Sequence, residues 1–203
     1  KGPFWFVDSA NFYNPVKHTD TLSKISVEFE RSDEDFIKAF KNKYLDSLPP
    51  SWMMLEVSSF GNLSNLFSNL KPSREKRNIA NYWGLNEKTF SSWLHSIVYL
   101  RNICAHHTRL WNKDLRIQPI IPSNPHFPFL TITTYVHTET NQTLLLNNKV
   151  YFVFSMIVYL MNIINSKHKI KGKLISLFQK YPNIDEMAMG FPDNWQNEPL
   201  WAS

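Results

Sequence analysis

The chain has 203 residues, of which 43% are hydrophobic and 19% charged, a composition that supports a sizeable core and excludes a disordered chain. Aromatic residues make up 15% while glycines number only 5, and no glycine-rich phosphate-binding string occurs, which argues against nucleotide-binding α/β folds. The single cysteine, Cys104, excludes a disulfide framework and a cysteine-based zinc finger, so a cytoplasmic location is expected. The net charge of +5 suits a nucleic-acid partner without identifying one.

The first 70 residues read as an irregular aromatic start followed by helices. The pattern turns helical near Thr21, and Ser32 is an N-cap candidate for a helix over 33–48, which Pro49 stops. Ser51 is then the N-cap candidate of one further helix that runs to Leu70. These spacings predict three helices before residue 71.

Two more helices follow. A short one opens at Pro72 and closes at Gly84, and Asn86 caps the longest candidate, from Glu87 to about Trp111. The proline-rich segment 112–147 cannot be helical throughout, so it is predicted to be an irregular insertion that contains a short strand or extended loop at TITTYV.

The last part of the chain is again helical. The apolar run at 150–164 is shorter than the roughly 20 residues that cross a membrane, so it is predicted to be a buried core helix at about 148–166. A further helix is expected at 172–180, and the aromatic tail is expected to pack on the core. The sequence thus predicts one all-α domain over 1–203, interrupted between the long helix and the later core helix, with no membrane partner.

The long helix carries the polar residues of interest. Arg101 falls inside its broad apolar arc, where a guanidinium needs a carboxylate or a phosphate, whereas Asn102, His106 and Arg109 lie together on the opposite side. The apolar arc itself consists of Trp93, Leu94, Ile97, Val98, Leu100, Cys104, Ala105 and Trp111.

Glu56 lies in the middle of the apolar stripe predicted for the helix over 51–70. Two helices with one charge each on a core face suggest that the charges meet. We therefore hypothesise a buried pair between Glu56 and Arg101, with the alternative that each side chain reaches water at the edge of its element.

The string RNICAHHTRLWN at 101–112 resembles the signature of the Abi-like family, the AbiD/AbiF group of bacterial abortive-infection proteins. Blocks of similar sequence extend the resemblance over essentially the whole chain: 31–44, 49–70, 79–85, 92–102, and MGFPDNW with PLW at the end. Family members usually carry a further N-terminal portion, so the resemblance implies that this chain lacks it.

The resemblance implies membership of the HEPN superfamily, whose members are helical bundles and often dimers. Arg101, Asn102 and His106 fill the superfamily's motif of an arginine, a polar residue and a following histidine. By resemblance, the chain is a metal-independent endoribonuclease of phage defence that uses no cofactor and leaves a 2′,3′-cyclic phosphate and a 5′-hydroxyl.

The chemistry of such a site is coherent. RNA carries its own nucleophile, so His106 can act as general acid or base while Arg101 clamps the scissile phosphate and Asn102 orients the imidazole or contacts the phosphate. On a regular helix Arg101 and His106 point about 140° apart. HEPN nucleases commonly resolve this at a dimer interface, so the resemblance implies a homodimer.

Other residues near the motif allow two interpretations. His107 has either a structural hydrogen-bonding role or a catalytic one, and Arg109 and Lys113 either bind flanking phosphates or form a solvated face. Cys104 is expected to be inert core, and the basic run 167–173 either follows an RNA backbone or is only surface. A zinc site built from His95, His106 and His107 is disfavoured, because no supporting acidic residue or cysteine has a suitable spacing.

Two functions from different classes follow from these residues. The first is a ribonuclease effector of abortive infection. The second is a non-catalytic RNA-binding module, regulated by a partner RNA or an antitoxin protein, in which the same arginine and histidine hold a structured RNA.

Overall fold

The computed structural model describes residues 2–137 and 140–202. Helices predominate, as predicted, and the chain divides into two compact units, Lys1–Arg77 and Asn78–Ser203. The helices are α1 (Pro15–Arg31), α2 (Asp35–Lys43), α3 (Ser51–Glu56), α4 (Phe60–Asn69), α5 (Arg74–Tyr82), α6 (Glu87–Ala105), α7 (Val150–Ile164), α8 (Ile170–Lys180) and α9 (Pro199–Ala202). Short 3₁₀ turns cover Ser9–Asn11, Leu146–Asn148 and Trp195–Asn197.

The first unit is built on α1 packed against α4. Its core is apolar and largely aromatic, and comprises Phe6, Phe12, Ile25, Phe29, Ile37, Phe40, Met54, Leu66 and Phe67. The buried Lys76 closes the end of α4, where its ammonium donates to the carbonyl oxygen of Leu70 at 2.6 Å and lies 5.3 Å from the centre of the Phe67 ring. A buried cation is tolerated here because the carbonyls at a helix C-terminus carry partial negative charge.

The single helix predicted over 51–70 is wrong, because the chain forms α3 and α4 with a break between them. Ser59 caps α4 by accepting the N–H of Asn62, and the Glu28 carboxylate accepts the N–H of Ser59 at 2.8 Å and the Asn62 side-chain amide at 2.9 Å. A carboxylate from α1 therefore stabilises a new helix start that the local sequence pattern does not reveal.

The helix predicted over 33–48 also ends early, at Lys43. Tyr44 is extended, and its ring stacks on Phe40 with the ring centres 5.1 Å apart. Leu48 precedes a proline, which disfavours helical backbone at that residue as well.

The second unit centres on α6 and α7, which pack against each other. Trp93 of α6 contacts Tyr159 of α7 edge to face at 5.3 Å, and Phe129 of the intervening segment packs on both rings. The indole N–H of Trp93 donates to the carbonyl of Ile120 at 2.9 Å, which fixes the proline-rich segment against α6. That segment also carries an antiparallel hairpin, β1 (Thr134–Val136) and β2 (Thr143–Leu145), so the strand alternative for TITTYV is confirmed over its last three residues.

The aromatic tail packs into the second unit, as predicted. Trp201 is fully buried, stacks on Tyr151 with ring centres 6.2 Å apart, and donates its indole N–H to Ser155 of α7 at 3.3 Å. The buried Glu198 accepts hydrogen bonds from the backbone and hydroxyl of Thr131, which ties the tail to the proline-rich segment. The apolar helix α7 is a core helix, and within the described residues no helix is long and apolar enough to cross a membrane.

Candidate active site at the end of α6

The motif helix begins as predicted, with the Asn86 side chain accepting the N–H of Thr89 at 2.8 Å, but it ends at Ala105 rather than Trp111. His107 adopts left-handed backbone with φ of 51°. Its N–H donates to the carbonyl of Cys104, and the N–H of Thr108 donates to the carbonyl of Ile103, both at 3.1 Å. This pair of bonds is a Schellman motif, which uses two carbonyls that the helix end would otherwise leave unpaired.

Arg101, Asn102 and His106 lie together at this helix end, and all three are exposed. The guanidinium Nη1 of Arg101 donates to Oδ1 of Asn102 at 3.1 Å, and the backbone N–H of His106 donates to the carbonyl of Asn102 at 3.0 Å. Asn102 therefore touches both of the other predicted catalytic residues, one through its side chain and one through its backbone.

The predicted apolar arc is wrong in its orientation. The buried stripe of α6 includes Thr89 and Ser96 as well as Trp93, Leu100 and Ile103. The Ser96 hydroxyl donates to the carbonyl of its own preceding turn, which makes its burial inexpensive. An arc drawn from apolar residues alone therefore misses the true core face.

Three expectations about buried residues fail, and for Arg101 and Cys104 the reason is that the core face of α6 is elsewhere. Arg101 is exposed, Glu56 is exposed at the end of α3, and Cys104 is exposed rather than part of the core. The hypothesis of a buried Glu56–Arg101 pair is therefore wrong, since neither side chain is buried. Glu56 instead lines a shallow acidic cleft within the first unit, together with Glu28 and Asp33.

The loop after α6 is fixed at its far end. The N–H of the buried Leu115 donates to the carbonyl of Asn148 at 2.7 Å, and the Asp114 carboxylate pairs with the Lys149 ammonium at 2.7 Å. Burial lowers the pKa of Lys149, but the hydrogen bond and the charge of Asp114 outweigh this effect and leave that pKa raised. The loop is thus held between Ile103 and Leu115, and nothing in the sequence pattern pointed to Lys149.

The loop presents further cationic and polar groups. Arg109 and His107 are exposed and Lys113 is half-buried. Among the ion pairs of residues 2–137 and 140–202, none involves Arg101, Arg109 or Lys113. These cations are therefore free of carboxylates within that part of the chain, as a phosphate-binding surface requires.

Among the described residues, no group of three or more His, Cys, Asp or Glu side chains is arranged to hold a metal ion. The candidate site consequently offers an arginine, an amide, two histidines and two further cations. That set can bind a phosphate and move a proton.

A protein-family model described as Abi-like protein matches residues 1–112. The matched region ends at Asn112 and so includes Arg101, Asn102 and His106. Comparisons with curated proteins and with solved structures find no match to the chain.

Proposed function

Because this chain belongs to the Abi-like protein family, we propose that it is an endoribonuclease of the HEPN type that acts in abortive infection as a defence against phage. The observation that carries the proposal is the exposed cluster of Arg101, Asn102 and His106 at the end of α6, in which Asn102 contacts both of the others. RNA is the expected substrate because the cluster supplies phosphate binding and proton transfer, and RNA supplies the nucleophile.

Each residue has a distinct role in this reaction. His106 takes the proton from the ribose 2′-hydroxyl or gives one to the leaving 5′-oxygen. Arg101 binds the scissile phosphate with two parallel N–H groups and stabilises the charge that builds up on its oxygens. Asn102 holds the guanidinium at 3.1 Å, so that the arginine is oriented before RNA binds.

The end of a helix is an unusual place to bind a phosphate. A helix C-terminus carries partial negative charge and repels anions. The Schellman bonds at His107 and Thr108 occupy two of the exposed carbonyls, and Arg101, Arg109 and Lys113 add positive charge around them. The surrounding cations therefore have to outweigh the helix dipole, which explains why several of them gather here.

The site is completed by a second copy of the chain in this proposal. Arg101 lies within the helix and His106 at its C-cap, so their side chains leave the helix in different directions. Around them the surface exposes Cys104, Ala105 and Trp111, the last with 46% of its surface accessible. A homodimer through this surface brings the arginine of one protomer towards the histidine of its partner.

The test is incubation of the purified protein with mixed-sequence RNA in EDTA, with Arg74→Ala as a matched control because Arg74 is an exposed arginine outside the site. Cleavage that is lost in His106→Ala and in Arg101→Ala, and kept in the control, supports the proposal. RNA that is bound tightly by the parent and by His106→Ala, and cleaved by neither, identifies a non-catalytic RNA-binding module instead.

Mixing the two inactive variants tests the shared site. If Arg and His come from different protomers, a mixture of Arg101→Ala and His106→Ala protomers regains part of the activity. A mixture that stays inactive, with a mixed dimer present in solution, contradicts the shared site but leaves the ribonuclease proposal standing.

A further inference from the structure

A groove lies where α7 ends and α8 begins. It consists of two adjoining cavities, of about 650 and 480 Å³, that share Asn162 and Ser166 on their common border. Both volumes are in the range of small-molecule sites. The two halves differ in chemistry, since one is cationic and the other aromatic.

The cationic half is lined by Lys169, Lys171 and Lys173 together with His168. None of these lysines takes part in an ion pair within the described part of the chain. Three lysines without carboxylate partners line this one cavity, and their positive charge attracts a phosphate.

Gly172, in the first turn of α8, also lines the cationic half. A glycine inside a helix destabilises it relative to alanine. A Cβ atom at this position would meet nothing within 4 Å, so packing does not require the glycine. Its absent side chain leaves the backbone of the first turn open to a ligand.

The border between the halves is set by a hydrogen-bonded pair. His168 Nδ1 accepts the N–H of Ile170 at 3.2 Å, so a neutral imidazole carries its proton on Nε2 and donates it to Oδ1 of Asn162 at 2.7 Å. The amide nitrogen of Asn162 then has its hydrogens left to donate, and no described residue accepts them. A donor amide thus stands between the cationic and aromatic halves.

The aromatic half is lined by Phe127, Pro128, Tyr159 and Ile163. Phe127 is 43% exposed, and its ring packs edge to face on Tyr159 at 6.0 Å. Tyr159 is itself fixed, because its hydroxyl donates to the carbonyl of Trp83 at 3.1 Å. The exposed ring therefore forms a firm surface on which a planar base can stack.

We propose that this groove binds a nucleotide, with its phosphate on Lys169, Lys171 and Lys173 and its base against Phe127. The Asn162 amide donates to the sugar or the base edge between them. Proteins that bind single-stranded nucleic acids with little sequence preference combine stacking of bases on aromatic rings with attraction of phosphates to cationic groups.

The groove is separate from the motif. Tyr159, on its wall, bonds the carbonyl of Trp83, which precedes α6, whereas Arg101 and His106 are at the other end of that helix. A helix of 19 residues is about 28 Å long, so a ligand in the groove does not reach the motif unless it is a chain. The nucleotide is either free or one residue of an RNA strand, and only the second case rests on the proposed function.

The experiment measures binding by calorimetry with adenosine monophosphate, adenosine and inorganic phosphate as probes. We expect the monophosphate to bind at least tenfold more tightly than either fragment. The double variant Lys171→Ala/Lys173→Ala should weaken it at least tenfold, while Lys180→Ala, at the far end of α8, leaves it unchanged. Gly172→Leu keeps every charge and should also weaken binding, because its side chain takes up part of the space in the cationic half.

A short single-stranded RNA, titrated in the His106→Ala background so that it is not cut, distinguishes the two sources. If its affinity falls with the groove variants, the site takes a nucleotide of RNA; if only the monophosphate responds, it takes a free nucleotide. The proposal is overturned if inorganic phosphate binds as tightly as the monophosphate. It is also overturned if the groove variants change neither the affinity for the monophosphate nor the affinity for RNA. None of these titrations requires cleavage, so their failure is distinguishable from failure of the ribonuclease proposal.

Discussion

The backbone N–H of Thr108 donates to the carbonyl oxygen of Ile103, 3.1 Å away, across the end of the motif helix. This bond and its neighbour force His107 into the left-handed region at φ of 51°, a position that glycine usually occupies. A histidine there lies next to His106 and is exposed, while Ile103 below it is buried. The helix end thus links a strained residue to the candidate catalytic one.

Relief of this strain should be measurable. Left-handed backbone costs an L residue with a side chain roughly 1–2 kcal/mol, and His107→Gly removes this cost. Glycine loses more chain entropy on folding, which offsets part of the gain. The free energy of unfolding should therefore rise by about 1 kcal/mol. His107→Ala is the control, since alanine carries the same backbone cost and should give no gain. Urea unfolding measures both, and a glycine variant no more stable than the parent contradicts the strain.

Arg101→Ala and His106→Ala should both abolish RNA cleavage without unfolding the protein. Both side chains are exposed, so we expect each free energy of unfolding to stay within about 0.5 kcal/mol of the parent. Arg101→Lys should not restore cleavage, because lysine cannot form the bidentate contact. The measurements are cleavage rate and urea unfolding on the same samples, and a loss of several kcal/mol in either variant would show that the residue is structural.

Asp114→Asn should slow RNA cleavage clearly while it lowers the free energy of unfolding only slightly. The Lys149–Asp114 pair is partly exposed at Asp114, so its loss should cost at most about 1 kcal/mol, yet it frees the far end of the loop that carries Arg109. Asp20→Asn is a matched control, because Asp20 also pairs with a lysine at 2.7 Å but lies on α1 in the first unit. Equal losses of cleavage in the two variants would remove the loop-anchoring argument.

The affinity for RNA should fall steeply as salt rises. Each phosphate contact releases counterions, so a plot of log affinity against log salt should steepen with the number of lysines and arginines engaged. Arg109→Ala should lower that slope by about 1, whereas Arg31→Ala, an exposed arginine of the first unit, should not change it. An affinity indifferent to salt would contradict the electrostatic account of binding.

Stability should fall in alkaline solution because of two tyrosines. Burial and then the charge of Glu198 raise the pKa of Tyr151, and burial raises the pKa of Tyr159 to about 12. Above pH 10 or so the tyrosines of the unfolded chain release protons that the folded chain keeps. Rising pH therefore favours the unfolded state, and the free energy of unfolding decreases between the unfolded pKa and the folded pKa. Each such tyrosine adds a slope of about 1.4 kcal/mol per pH unit in that range.

The alkaline effect is measured by urea unfolding at a series of pH values. Tyr159→Phe should be less stable than the parent near neutral pH, because it loses the bond to Trp83, and should show a flatter decline above pH 10 or so. Tyr181→Phe, at an exposed position, should decline like the parent. Parallel declines in all three proteins would rule out a contribution from Tyr159.

Much of the helical architecture was predictable because its signals are local. The start of α6 follows from the cap at Asn86, and the end of α5 follows from Gly84, which has φ of 64° and lies against the Tyr159 hydroxyl. The buried tail was predictable from its large aromatic residues alone. In these cases one residue type carries the structural information.

The features that could not be predicted depend on contacts between distant residues. Glu28 of α1 accepts the N–H of Ser59 and so stabilises the start of α4. Lys149 fixes the loop after the motif by pairing with Asp114, which is distant from it in the sequence. The exposure of Arg101 was missed because hydroxyl residues such as Ser96 occupy part of the core face. Hydrophobic periodicity describes one segment of the chain at a time, so it cannot predict any of these contacts.

The contacts of the tail have a consequence for how the second unit loses its structure. Trp201 covers Tyr151 and donates to Ser155 of α7, and Glu198 bonds Thr131 of the proline-rich segment. One short stretch of chain therefore holds both α7 and the segment that follows α6. If that stretch detaches, both contacts are lost at once, so α7 and the proline-rich segment should loosen together as one cooperative unit.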